Sequence, residues 1–476
     1  MADSFQFDQS TPFLASEALE ILRGVPELSG VFAVCGAQSS DQPYITRTAN
    51  LKRRLQRLLL PGDVQDASKP QSRRLDLRER IARIEWTVTG SEFESLLVLY
   101  SATSEQFGYP EARKRLRLHT PYVLRLTMEN RHPRVYVTNR LSKRGLNMMY
   151  GPFLSRVAAE RYCDAVLDLF KLRRCSEDLE VSPNHPGCAY GEMKKCLAPC
   201  NLSCTAEDYA AEATQVRAFF DTHGESLLGS ISAEREKASA EMEFERAAVL
   251  HEQWQRVKNA ASLADDLVRP IPMLRALVVQ RTAERREKDA PDAQEAAVFL
   301  MQGGCWSGPE RLSTLGVRAV QEQTSVGSSL FAQPLMLQAV PLESEPLRAA
   351  ESPEERAKAV LTRLEEKSMP ASDLALLSDH LSLFRRWYYK PEKQRGGEVF
   401  LPNADGSWPI RRILRGAARA VLGDPKPMAE TQREEAKALR TRMLHEGRPG
   451  IEREVPILPK QVEHSPAFTS RRKANS

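Results

Sequence analysis

Cys175, Cys188, Cys196 and Cys200 are spaced C-x12-C-x7-C-x3-C, and with Cys204 they put five of the chain's eight cysteines within thirty residues. Thiolates gathered this densely either pair as disulfides or hold a soft metal. A secreted disulfide scaffold would be short and cysteine-dense throughout, whereas this chain has 476 residues. Structural zinc favours paired C-x2-4-C knuckles, and only Cys196 and Cys200 form one. A cubane iron–sulfur cluster needs one thiolate per iron and suits uneven gaps at least as well. The plain alternative is four buried cysteines with no ligand at all. The spacing therefore predicts a metal centre, with His185 read as an exposed loop residue rather than a further ligand.

A second chemistry is the gripping of phosphate. Lys52, Arg53, Arg54 and Arg57 share the polar face of one expected helix, and Arg113, Lys114, Arg115 and Arg117 form a second basic run. Such groups could hold a nucleic-acid backbone without reading bases, although charge runs are commonly just solvated faces. Tyr122, Tyr136 and Tyr150 are read as sheet or core residues rather than stacking platforms.

These residues need elements to position them. Residues 16–29 read as a helix, GVFAVCGA (30–37) as an apolar strand and PYITRTA as its neighbour across a polar turn. NLKRRLQRLLL follows as a helix capped by Asn50, with Leu51, Leu55, Leu58 and Leu59 on one face. A polar linker (61–72) precedes RIEWTVTG, where Ile84, Trp86 and Val88 alternate as in a half-buried strand. Ser91 and Glu94 suggest a capping box opening the helix SEFESLLVLYSA. Farther on, Tyr209–Phe220 reads as an amphipathic segment and Ser232–Ala261 as one long helical stretch. On the latter, Phe244, Ala247, Ala248, His251 and Trp254 form an apolar stripe, either packed within its own hairpin or open to a partner helix. LRALVVQ and AAVFLMQ read as apolar strands, GGCWSG as a turn between strands, RTAERREKDAPDAQ as a solvated loop and 353–367 as a helix. LALLSDHLSLFRRWYYK and IRRILRGAARAVLG complete this part, and the stretch beyond Asp424 reads as a frayed helix and disordered tail.

Several of these pieces resemble one family in register. GVF…YITRTANLKRRL looks like the GIY-YIG nuclease module. TPYVLRL…PRVYVT…RL…YGPF…RRC resembles the stretch of the bacterial UvrC excinuclease family between that module and its cysteines, and CLAPC matches the family's cluster signature. SAEMEFERAAVLHEQWQRVK is similar to the UVR motif, which binds UvrB in that family. The resemblance implies a [4Fe–4S] cluster on Cys175, Cys188, Cys196 and Cys200, with zinc as the alternative occupant. It implies a UvrB-like partner docking at Phe244, Glu245, Ala247, Ala248 and Leu250, and damaged duplex DNA as the other partner, for which the basic runs supply Lys52, Arg53, Arg57, Arg113, Lys114 and Arg115 as candidate contacts. In the nuclease module Tyr44 and Arg54 match the motif tyrosine and helix arginine, and Arg47 stands where the family has lysine. Three positions depart: Phe32 replaces a tyrosine, Thr46 a glycine, and Leu99 falls where the metal-binding glutamate belongs. Leucine cannot coordinate magnesium, which takes oxygen ligands. Glu92, Glu94 and Glu105 are the nearby carboxylates, so magnesium is expected only if one of them restores the site.

The resulting expectation is a multidomain α+β chain. A degenerate GIY-YIG-like domain (16–110) leads through a basic β-hairpin and helix connector (111–174) and a cysteine cluster (175–204) to a helical UVR region (205–265). A mixed β/α region (270–424) of unknown role and a disordered tail (425–476) follow. The family's RNase H-like nuclease and helix-hairpin-helix region find no counterpart, as in a UvrC cut to its front half. The function implied is a UvrC-like DNA-binding protein of nucleotide excision repair with impaired or lost cleavage. The rivals are a non-catalytic regulator that binds UvrB and DNA, and an iron–sulfur redox sensor that binds DNA. Hydrophobic content of 41% can build sizeable cores, and the net charge of +5 is modest but unevenly spread. The first residues lack a basic, then apolar, secretory pattern, and no apolar run would span a bilayer, so a cytoplasmic protein without membrane contact is expected.

Overall fold

The computed structural model describes residues 5–38, 41–60, 80–176, 179–283, 295–315, 317, 352–368, 373–422, 442–444 and 453–455. The chain divides into two units, Met1–Gly423 and Asp424–Ser476. In the second, Arg442–Leu444 and Arg453–Val455 pair antiparallel; the rest of the expected frayed helix and tail lies outside the described residues. The linker at 61–72 and most of the charged loop at 284–294 do so too.

The first unit contains three four-stranded sheets. The first has the order β1-β4-β2-β3, from β1 (Gln9–Pro12), β2 (Gly30–Gly36), β3 (Tyr44–Thr48) and β4 (Ile81–Val88), all antiparallel. Strand β1, QSTP, carries no apolar alternation and is not among the sequence expectations. The helix expected at 16–29 is confined to Ala18–Arg23 after a 3-10 turn, and Val25 then packs into the sheet core. Helix Leu51–Leu59 starts where expected, the Asn50 Oδ1 accepting the Arg53 N–H at 2.8 Å. It buries Leu51, Leu55 and Leu59 against Phe32, Val34, Ile84 and Trp86.

The second sheet has the order β6-β5-β7-β8, from β5 (Tyr122–Leu126), β6 (Val135–Thr138), β7 (Met149–Phe153) and β8 (Arg269–Pro270). Helix Arg156–Leu167 covers it, and helices Ala206–Asp221, Glu225–Ala240 and Phe244–Ala261 join the same core. The helical stretch expected over Ser232–Ala261 is divided between two helices that pack as a hairpin. The chain reverses at Glu241–Glu243, with Met242 in the left-handed region at φ 61°. Local helix propensity persists through EMEF, so the break comes from tertiary packing, which folds Leu250 and Val257 back onto Ala238 and Ile231.

The third sheet has the order β11-β10-β9-β12, from β9 (Arg275–Arg281), β10 (Glu295–Gln302), β11 (Cys305–Ser313) and β12 (Gly397–Phe400). The β10–β11 hairpin turns on two residues, Gly303 (φ 57°) and Gly304 (φ 82°), the pair of positive φ angles that a right-twisted two-residue turn requires. The turn is therefore tighter than the GGCWSG segment, and Cys305 already begins β11. Both faces are covered, which explains why LRALVVQ and AAVFLMQ are apolar throughout. Ala276, Val278, Ala297 and Phe299 face helix Leu374–Tyr388, while Leu277, Val279, Ala296 and Val298 face helices Pro353–Lys367 and Ile410–Leu422.

Helix Glu92–Phe107 ties the first and third sheets together. Its N-cap Ser91 accepts the Glu94 N–H, but the Glu94 carboxylate reaches Gly90 N at 2.7 Å, so the box does not close on Ser91. Gly90 cannot carry a side chain, because a Cβ there would lie 2.3 Å from the backbone of Thr282. Phe93 is fully buried in an aromatic nest with Phe299, Trp306 and Trp387, at ring-centre distances of 5.4, 4.8 and 4.9 Å.

Candidate functional site: a cysteine loop and a charge-locked sheet face

The cysteine loop is held between the second sheet and the first helix of the helical arm. Arg173 is buried; its Nε donates to the His132 carbonyl at 3.1 Å and its Nη1 to the Cys175 Sγ at 3.6 Å. Its backbone N–H donates to the Tyr209 hydroxyl, which itself donates to the Pro133 carbonyl at 2.8 Å. Helix Ala206–Asp221 thereby fixes the segment that carries Cys175. Cys200 is fastened from the other side, its carbonyl accepting the Ser182 N–H at 3.0 Å.

Between these anchors the backbone turns sharply. Lys194 (φ 57°), Ala198 (φ 51°) and Leu202 (φ 60°) are all left-handed without being glycine, and each lies two residues from Cys196 or Cys200. Each costs on the order of 1 kcal/mol or more and persists only where the surroundings over-determine it. Alternation of this kind turns backbone N–H groups inward, as in anion and iron–sulfur cradles, and the Ala198 N–H does donate to the Cys196 Sγ at 3.3 Å. A cavity of about 400 Å³ opens beside it, lined by Lys171, Gly187, Cys188, Cys196 and Ala198 among others.

The other three thiols bear on Cys196. Burial pushes the Cys196 thiol up to about 11, the Ala198 N–H lowers it, and Cys188, Cys175 and Cys200 raise it further. Such a thiol is protonated at neutral pH unless a cation or metal takes the charge. Among the described residues, however, His, Cys, Asp and Glu form no group of three or more placed to hold a metal ion. In residue type the set suits a thiolate-held centre; in placement it is grouped but open. His185 turns its Nδ1 to the Gly187 N–H at 3.0 Å.

The first sheet collects the other candidate residues differently. Register pairs Phe32 with Thr46 and Val34 with Tyr44, so these four share the face that packs on helix Leu51–Leu59. The Phe32 and Tyr44 rings meet at 6.3 Å. Arg47 lies on the opposite face, where its Nη1 donates to the Glu92 Oε1 at 2.9 Å. The other Glu92 oxygen takes the Lys390 Nζ at 2.5 Å. Partial burial raises the Glu92 pKa, but the bonds from Lys390 and Arg47 prevail and hold it below the usual carboxylate value. Leu99 is buried, 8% exposed, in the helix whose first turn carries Glu92. Glu94 is half-buried, which raises its pKa, and Glu105 is exposed, accepting the Phe5 N–H at 3.4 Å.

The basic candidates divide. Lys52 pairs with Glu27 at 3.2 Å, while Arg53 and Arg57 are exposed and Arg54 is half-buried. Arg113 is engaged internally, its Nε on the buried Asp379 at 2.6 Å and its Nη2 on the Ala375 carbonyl. Arg115 bonds Glu111 and Gln42 and lies over the Phe107 ring at 3.8 Å. Lys114 is exposed, 3.8 Å from Glu111. On the hairpin, Phe244 is 70% exposed and Glu245 and Ala248 are exposed, whereas Ala247 is half-buried and Leu250 belongs to the core. Trp254 packs partly inside, stacked with His251 at 6.2 Å. Tyr150 is fully buried, Tyr122 packs against the second sheet's core, and Tyr136 is partly exposed under Arg134. Lys390 and Asp379 escaped sequence reasoning. Both act across more than 260 residues, and no local pattern marks them.

Residues 122–219, which carry strands β5, β6 and β7 of the second sheet and the whole cysteine loop, match the family described as UvrC/Cho excinuclease, middle domain. Over 174 residues the chain is 33% identical to the UvrABC system protein C of Alcanivorax borkumensis, covering 37% of this chain and 28% of the relative. It is 25% identical to that of Dehalococcoides mccartyi over 238 residues (50% and 38%), and 26% identical to that of Aliivibrio fischeri over 249 residues (52% and 39%). The matched stretch thus spans well under half the length of these curated relatives. No solved structure matches. Among the described residues, no helix is long and apolar enough to cross a membrane. The stretch that carries the cysteine loop and strands β5, β6 and β7 is therefore similar to the middle domain of the UvrC/Cho excinucleases.

Proposed function

We propose that this chain is a UvrC-like DNA-binding protein of nucleotide excision repair whose nuclease-like first sheet cuts weakly or not at all. The observation that carries the reading is the position of the matched middle domain. It holds the cysteine loop between a basic sheet module and a helical hairpin with an exposed apolar tip. Cys175, Cys188, Cys196 and Cys200 would hold a [4Fe–4S] cluster, or zinc in its place, tying the sheet to the arm. Support comes from the bearing of the other three thiols on Cys196 and from the inward-turned backbone between them. Met242, Phe244 and Val249 at the hairpin tip, 76%, 70% and 54% exposed, offer the face for a UvrB-like partner.

Weak cleavage follows from the chemistry of the first sheet. Phe32 brings no hydroxyl, Leu99 brings no oxygen ligand, and Glu92 is neutralised by Arg47 and Lys390. A carboxylate held by two cations is a poor magnesium ligand. This favours the non-catalytic accessory as the second reading. A plasmid-nicking assay on damaged duplex with magnesium or manganese separates the two. Slow, detectable nicking marks an impaired nuclease, and none marks an accessory protein. Vigorous incision lost in Tyr44→Phe would overturn the impaired site altogether. Capture of a UvrB-like protein should fail for Phe244→Ala and survive Arg54→Ala.

A further inference from the structure

Four cations meet where β3 faces the end of helix Leu374–Tyr388. Arg47 of β3 and Lys390 just past the helix grip the two oxygens of Glu92. One turn back, Arg386 donates from Nη1 to the Leu116 carbonyl at 3.0 Å and from Nη2 to the Arg117 carbonyl at 2.7 Å. Arg385 donates to the Leu154 carbonyl at 2.8 Å. Among the described residues Glu92 is the one carboxylate that any of the four bonds, so four positive charges share a single negative one. Backbone carbonyls orient a guanidinium but do not cancel its charge. The strain of this crowding registers on Arg386, whose pKa is lowered by partial burial and by the charges of Arg385 and Arg47. A fold gains nothing by crowding uncompensated cations on a partly exposed surface, so the arrangement calls for an anionic ligand. Arg47 is 39% exposed, Lys390 28% and Glu92 33%, leaving donors free toward solvent.

We propose that Arg47, Arg386 and Lys390, oriented by Glu92, form a seat for the phosphodiester backbone of duplex DNA that needs no divalent metal. The seat rests on the DNA-binding reading above and gives residues 374–390 a part in it. A continuous backbone fits better than a lone phosphate, because the cations come from two separate modules and Lys114, 78% exposed, adds charge on helix Tyr109–Arg115, which ends at the Leu116 carbonyl that Arg386 holds. Glu92 holds Arg47 on one carboxylate oxygen and Lys390 on the other, and it thereby withholds both oxygens from a metal ion.

The test measures binding of the full-length chain to a fluorescein-labelled 30-base-pair duplex in chelator, at salt from 0.05 to 0.2 M. Each phosphate contact contributes about 0.9 to the slope of log affinity against log salt, so Arg47→Gln/Lys390→Gln should lower the slope by about 2. Over that salt range the affinity gap from the parent should widen about tenfold toward low salt. The charge-retaining Arg47→Lys/Lys390→Arg pair should restore the slope, while Glu92→Gln, which breaks the ion pairs but keeps both cations, should leave the slope no lower than the parent's, as a merely structural role for the ion pairs would not predict. Parent binding with the slope unchanged in the Gln pair would overturn the seat and leave the DNA-binding reading intact. No binding by the parent chain in chelator would overturn that reading itself.

Discussion

The cysteine loop and the face of the first sheet were both singled out by residue type, yet they are built on opposite plans. Every candidate ligand of the loop comes from 26 consecutive residues, and the loop's anchors, Arg173 and Ser182, lie within the same stretch or beside it. On the sheet face, the group that decides the chemistry of Glu92 is Lys390, 298 residues away. A local site keeps its chemistry readable from spacing, because chain connectivity brings its members together. A site assembled from distant elements can be neutralised by a partner that no local pattern reveals.

The largest effect that could break this contrast is at Cys196. Protein purified without oxygen should carry iron and sulfide, and Cys196→Ser should lose both; parent protein free of iron and of zinc would remove the loop from the comparison. Next is Phe93→Ala, which empties an aromatic nest formed by the third sheet and should cost about 3–5 kcal/mol in a denaturant melt. A cost below about 1 kcal/mol would mean that the helix carrying Glu92 is not anchored from the third sheet.

A smaller effect depends on pH. His380, whose Nδ1 accepts the Trp306 N–H at 3.1 Å, is held neutral by burial, its pKa pushed down to about 4. The unfolded chain takes up this proton near pH 6.5 and the folded chain does not, so stability is lost as pH falls from 6.5 toward 4. Between pH 7 and 5 the loss should be about 2 kcal/mol, and His380→Gln should flatten that part of the profile. An unchanged profile would show that the histidine is hydrated.

The smallest expected effect sharpens the contrast at the sheet face. Glu92 has its pKa lowered, so its ion pairs stabilise the fold above the ordinary carboxylate value and are lost as pH falls through the folded one. Glu92→Gln should therefore cost about 1 kcal/mol or less at pH 7 and nothing under strongly acid conditions, read from paired thermal melts.

Much of the fold was legible. Strands β2, β3, β4, β9 and β10 and the helix capped by Asn50 follow from apolar alternation and capping, which local sterics and burial enforce. Strand β1 was not legible: QSTP is strand only because β4 offers it an edge to pair with. The break at Met242 was also hidden, since helix-forming residues run through it.

The sequence by itself determined the grouping of the cysteines, the core faces of the short elements and the absence of an oxygen ligand at Leu99. These depend on residue chemistry and near-neighbour spacing. Only the tertiary structure decided that helix Glu92–Phe107 is anchored by the third sheet, that Arg113 is engaged by Asp379, and that Glu92 is shared by Arg47 and Lys390. The reason is physical: a charge's partner is set by distance in space, and folding closes separations that the order of residues leaves open.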